Sequence, residues 1–199
     1  VELALAASYR LGRLLGDGQA SVSLIVGSEL LPGHGPAIAR QATAALADQG
    51  VEVIAAYAAG SPPGLLLSDG RQLAVDCLIA ATGVRPADWL AASGLALAAD
   101  GFIAVADGQQ SVSHPGVFAA GDVATRVDAP HAKSGVYAVR AGPVLSANLQ
   151  RALAGQPVQP YQPQRRSLYL LATGPKQAIM SWGGLTASGA WAWRWKDWI

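Results

Sequence analysis

Cysteine is nearly absent from these 199 residues: Cys77 stands alone, with one methionine, two phenylalanines and three histidines. A single thiol excludes a disulfide framework and a dithiol redox centre within the chain. His34, His114 and His131 are far apart and show no metal-ligand spacing, so loop and turn roles are expected of them and no metal site. Charge is scarce too, at 14% of residues, and the net charge of +1 leaves no basic field for nucleic acid. No apolar run reaches the roughly 20 residues that span a bilayer, and no signal-peptide pattern opens the chain. The expectation is a cytoplasmic protein that makes at most peripheral contact with the inner membrane face. No G-x-S-x-G elbow and no paired-carboxylate pattern occurs.

Hydrophobic residues make up 51% of the chain, enough for one large domain or two small ones with a packed core. The run from Ser113 to Ala124 (SHPGVFAAGDVA) carries the most information. Val117 to Ala120 reads as a short strand buried on both faces of an α/β sheet. Ligands in such sheets sit at the carboxyl ends of the strands, where Gly121 and Asp122 fall. Gly121 lets the backbone approach a diphosphate, and the Asp122 carboxylate accepts hydrogen bonds from sugar-like hydroxyls. Taken alone, the pair also reads as an ordinary strand-to-turn Gly-Asp.

The rest alternates in α/β fashion. Residues 1 to 15 read as a helix with Leu3, Ala7, Leu11, Leu14 and Leu15 on its apolar face, uncapped and without a preceding strand, as in a fragment cut inside a helix. Residues 21–26 and 51–54 are expected as strands flanking a helix over 37–48, a βαβ unit. Residues 65–67 and 71–75 form a hairpin turned at Asp69-Gly70. Residues 76–83 read as another buried strand, with Cys77 a small core residue.

Four features then follow one order: VELA at 1–4, ATGVRP at 81–86, VFAAGD at 117–122 and a long helix after it. In this the chain resembles the pyridine nucleotide-disulfide oxidoreductase superfamily of FAD flavoproteins, which includes the type II NADH dehydrogenases. The runs LLPGH (30–34), KSGVYAVRAGPVL (133–145) and WRWKDWI (193–199) resemble a subgroup fused to selenide, water dikinase. The resemblance implies an α/β fold: a partial two-dinucleotide-binding-domain (Rossmann-like) flavoprotein with a small C-terminal α+β domain. Residues 1–83 would be the remainder of the NAD(P)H-binding domain, 84–156 the C-terminal part of the FAD-binding domain and 157–199 an interface domain. The first FAD half and both phosphate loops would lie outside the chain.

The same resemblance implies cofactor-binding roles. Glu2 matches a glutamate that faces the nicotinamide and flavin rings, and it also suits a first helical turn. Thr82 and Gly83 match the return to the FAD domain, with Pro86 stiffening the crossover. Gly121 and Asp122 match residues that hold the FAD ribityl and pyrophosphate. Lys133 and Ser134 match the start of a helix whose amino end faces the flavin pyrimidine, although Lys133 also reads as a solvated first-turn lysine. Val136, Val139, Leu145, Leu149 and Leu153 keep helical spacing, and Pro143 is expected to kink the helix near Gly142. No acid ends the second strand at Val26 or Gly27, so NADH and NADPH both stay open, with NADH favoured because no basic residue stands at the turn.

From Pro157 onward, residues 165–172 and 177–182 read as two strands around a turn. Trp191, Trp193, Trp195 and Trp198 alternate like one buried strand face, and an interfacial membrane anchor is the other reading. The expected function is hydride transfer from nicotinamide to FAD and onward transfer to a small-molecule acceptor, quinone among the candidates. The lack of a second cysteine speaks against a disulfide reductase working from this half, and the lack of any after Cys77 against a sulfide:quinone oxidoreductase. A non-catalytic truncated module that binds a partner or a membrane is the alternative.

Overall fold

A computed structural model describes all residues from 1 to 199. It divides into two compact units, Val1–Ala80 with Arg166–Ile199, and Ala81–Arg165.

The first unit is built on a βαβ element. Helix α1 (Glu2–Leu15) has Glu2 in its first turn and Arg13 in its last, which complements the helix dipole. Its buried face is not the expected one: Ala4 and Leu5 pack against Leu46 and Val51, while Leu3, Leu14 and Leu15 stay exposed. Strand β1 (Ser23–Val26) pairs in parallel with β2 (Glu52–Ala55). Between them runs α2 (Pro36–Asp48), with proline in its first turn, where the missing N–H costs nothing. Ile38, Ala42 and Leu46 recur every four residues and form its buried face.

A three-stranded antiparallel meander follows: β3 (Ala58–Ser61), β4 (Gly64–Leu67) and β5 (Gln72–Ala74). The β4–β5 turn falls at Asp69-Gly70 as expected. There the Asp69 carboxylate accepts from the Arg71 backbone N–H at 3.1 Å, and Gly70 takes φ +88°. Strand β3 was not foreseen, because its sequence AAGS carries neither β-branched residues nor alternation.

The C-terminal segment from Arg166 groups with the first unit. Strands β8 (Leu168–Gly174), β9 (Gln177–Trp182) and β10 (Leu185–Gly189) form an antiparallel sheet in the order β10-β9-β8, followed by α4 (Ala190–Trp198). This sheet belongs to the first unit because Ile179 of β9 packs on Ile38 and Ala42 of α2. The alternating tryptophans therefore lie on a helix and not on a strand. Trp191, Trp195 and Trp198, at helical spacing, stay exposed, and Ala192 is the residue that buries.

The second unit pairs β6 (Ile103–Val105) in parallel with β7 (Ala124–Arg126), and α3 (Gly135–Leu153) packs against the turn Gly121–Val123. Its core holds Leu90, Ile103, Val105, Ala119 and Ala124. Helix α3 runs through Pro143 as one helix, and the face it buries carries Ala141 and Asn148. Val139 and Leu153, assigned to an apolar stripe from spacing, are 76% and 91% exposed.

Two expected strands do not form. Residues 76–83 form no ladder, and Cys77, Leu78 and Ile79 are exposed, so Cys77 is not a core residue. Burial of that apolar run needs a pairing strand, and none of the ten strands supplies one. Between Val117 and Ala120 only Phe118 bridges, to Gln110, although Ala119 is buried in the core.

Candidate functional site

The site residues expected from sequence fall into three groups. Gly121, Asp122, Lys133 and Ser134 come together within the second unit. Gly121 opens a 3₁₀ turn, Gly121–Val123, at φ +72°, a conformation that favours glycine. A Cβ at Gly121 would lie 3.4 Å from the Ala138 Cβ, so the turn backbone rides against the first turns of α3. Asp122 is exposed beside it.

Ser134 is the N-cap of α3, yet its side chain makes no capping bond, and its Oγ is buried without a partner. Serine at this position ordinarily accepts from an amide of the first turn. Here the Ser134 carbonyl takes the first helical bonds, from the Tyr137 and Ala138 N–H groups at 3.1 and 3.2 Å. The first-turn amides of Gly135 and Val136 precede the helical ladder, the usual position of free donors at a helix start.

Lys133 is neither solvated nor free. Its ammonium donates to the Ala124 carbonyl at 2.5 Å and to Thr125 Oγ1 at 2.7 Å, and lies 4.0 Å from the centre of the Phe102 ring. Thr125 Oγ1 in turn donates to Asp100 Oδ2 at 2.7 Å. Burial pulls the Lys133 pKa below the usual lysine range, against the opposing charges of Asp100 and Asp122. Burial alone would raise Asp100, but hydrogen bonds from Thr125 and the Phe102 N–H, with the Lys133 charge, hold it below the ordinary carboxylate value.

Beneath Gly121 lies a cavity of about 20 Å³, lined among others by Gln109, Arg126, His131, Tyr137 and Tyr161. That volume holds one water, and Gln109 Oε1 is buried there without a partner. Arg126 is buried, donates to the Tyr161 carbonyl at 2.5 Å and forks onto Asp128 at 2.8 and 2.7 Å. The fork holds Asp128 below its ordinary pKa. His131 stacks on Tyr137 with ring centres 4.3 Å apart. Sequence reading missed this polar wall, since none of its members forms a motif. The Arg126-x-Asp128 spacing was the one available signal.

Glu2 belongs to the first unit. Its Oε1 accepts the Ala172 N–H and the Lys196 ammonium, each at 2.7 Å. The carboxylate expected to face cofactor rings is thereby held to strand β8 and helix α4. Thr82 and Gly83 lie exposed outside any helix or strand, Gly83 at φ +91°. Beyond the end of β1, a cleft of about 550 Å³ is lined by Glu29, Leu31, His34, Arg40 and Thr43 among others. It places Arg40 of α2 in the same cleft as Glu29, three residues past the end of β1.

No curated protein matches the chain significantly. Among solved structures it is similar to reduced CoADR-RHD of Bacillus anthracis, with a TM-score of 0.67 at 20% identity over 90% of this chain. That likeness shows the fold, and this chain spans 32% of the length of that one. The family model described as pyridine nucleotide-disulphide oxidoreductase matches residues 1–142, and members of that family use FAD and NAD(P)H. The chain belongs to the pyridine nucleotide-disulphide oxidoreductase family.

Proposed function

We propose that this chain supplies part of the cofactor-binding machinery of an FAD-dependent NAD(P)H oxidoreductase of the NADH dehydrogenase-like kind. The observation that carries the reading is the junction of Gly121 and Ser134: a left-handed glycine turn against a helix start whose capping hydroxyl is buried without a partner. Those residues fit a flavin. The turn admits a close diphosphate, and the helix start offers free amides and a positive dipole to an anion. When bound, FAD supplies the hydride and one-electron chemistry.

The chain's own residues bind and orient. Gly121 holds backbone close to the ribityl-diphosphate, Asp122 accepts from its hydroxyls, and Ser134 with the amides of Gly135 and Val136 meets the ring's polar edge. Thr82 and Gly83 stand in the connecting segment, where Gly83 turns the chain. Glu2, held by Ala172 and Lys196, orients the nicotinamide end of NAD(P)H. No side chain here serves as acid or base, so the residues tune the flavin through position and charge.

The acceptor in this reading is a small molecule, quinone foremost. Support for a peripheral membrane contact comes from α4, where Trp191 and Trp195 have ring centres 6.5 Å apart and Trp198 is 83% exposed. No helix is long and apolar enough to cross a membrane. A covalent link to selenide, water dikinase is the proposal that the runs at 30–34, 133–145 and 193–199 support. The full-length protein purified in the dark is expected to be yellow and to oxidise NADH or NADPH with an acceptor panel. A colourless product that neither takes up FAD nor oxidises either nucleotide would sink the reading in favour of a non-catalytic binding module.

A further inference from the structure

We infer that Lys133 is a positioning residue, a clamp that sets the flavin turn against the start of helix α3, and not itself a flavin ligand. The inference rests on the functional reading above and gives Lys133 a different part in it. An ammonium has three donors and no acceptor. Two of those donors go to Ala124 O and Thr125 Oγ1. On its remaining sides lie the Phe102 ring at 4.0 Å and Asp100 Oδ2 at 3.9 Å. The charge is thus occupied by protein on every side that the geometry resolves.

The two ends of the clamp are telling. Ala124 follows directly on the Gly121–Val123 turn, and Lys133 directly precedes the N-cap Ser134. One side chain therefore fastens the two backbone segments to which the flavin contacts are assigned, across nine residues of chain. Thr125 makes the fastening directional: its hydroxyl accepts from Lys133 and donates its own proton to Asp100. Arginine would carry the same charge, but its flat fork does not reproduce donors that diverge toward a carbonyl and a hydroxyl.

The test uses the full-length protein and two variants. Lys133→Met keeps an unbranched stem and removes the donors, while Thr125→Val keeps the charge and removes one acceptor. Hydrogen exchange is read at the amides of 121–126 and 135–138, and FAD affinity is read by titration of the apoprotein. Lys133→Met is expected to speed exchange in both segments at least about tenfold and to weaken FAD by a similar factor. Thr125→Val is expected to move both readouts in the same direction by about threefold. Exchange in strands 168–189 should stay unchanged in both. Weaker FAD binding with unaltered exchange would show a direct flavin contact and overturn the clamp, as would unaltered exchange in Thr125→Val if Lys133→Met does not fold. Failure of the parent protein to bind FAD refutes the oxidoreductase reading alone, because the exchange comparison still decides the clamp.

Discussion

Lys196 and Glu2, 194 positions apart, meet at 2.7 Å, and the same Glu2 oxygen accepts the Ala172 amide. The first turn of the first helix is thereby tied to the last helix and to strand β8. Both partners of the ion pair are partly exposed, so the charge contributes little and the amide bond more. Glu2→Ala is expected to lower unfolding stability by about 1 kcal/mol and Lys196→Ala by less, read by urea denaturation. A cost above about 3 kcal/mol for Lys196→Ala would contradict this assignment.

Gly121 at φ +72° strains any side chain placed there. Gly121→Val is expected to cost about 1–2 kcal/mol and to reduce FAD content, measured as the flavin-to-protein absorbance ratio. Full flavin loading in this variant would remove Gly121 from the proposed site.

Asn148 is wholly buried in α3. Its amide donates to the Gly108 and Gln159 carbonyls at 3.0 and 2.8 Å, and its carbonyl accepts the Gln159 N–H at 2.7 Å. Asn148→Leu fills the space and strands those three groups, so a loss of about 3 kcal/mol is expected. A melting temperature equal to that of the parent would refute the assignment.

Asp100 and Asp128 both have pKa values held below the unfolded carboxylate value. The stability each contributes is present above that value, near 3.8, and is lost as pH falls through the lower folded value. Acid titration of the protein should therefore show a loss of stability below about pH 4. The Asp100→Asn and Asp128→Asn variants should each flatten that loss while being less stable near neutrality. An unchanged acid limb in both would contradict the pairings with Thr125 and Arg126.

The exposed face of α4 predicts vesicle binding. Sedimentation with anionic liposomes should capture the protein, and replacing Trp191, Trp195 and Trp198 with serine should abolish capture. Equal sedimentation of parent and variant would leave the membrane proposal without support.

Much of the fold was legible because it depends on local rules. The Ala-rich run 37–48 closed by Gly50 announced α2, and the Asp69-Gly70 turn announced the β4–β5 hairpin. The Trp-rich end misled because period two in tryptophan was weighed above helix-forming Ala190, Ala192, Arg194 and Lys196 between the rings. The apolar run 76–83 misled because a strand exists only where another strand pairs with it.

By itself the sequence determined the βαβ unit and the hairpin turn at Asp69-Gly70. Each is dictated by periodicity or backbone conformation within a few residues. Only the tertiary structure decided that Glu2 is held by Ala172 and Lys196, and that Lys133 is spent on Ala124 and Thr125. It likewise decided that the C-terminal sheet joins α2. These are choices of partner, fixed by which surfaces bury one another across the chain, and no local pattern encodes them.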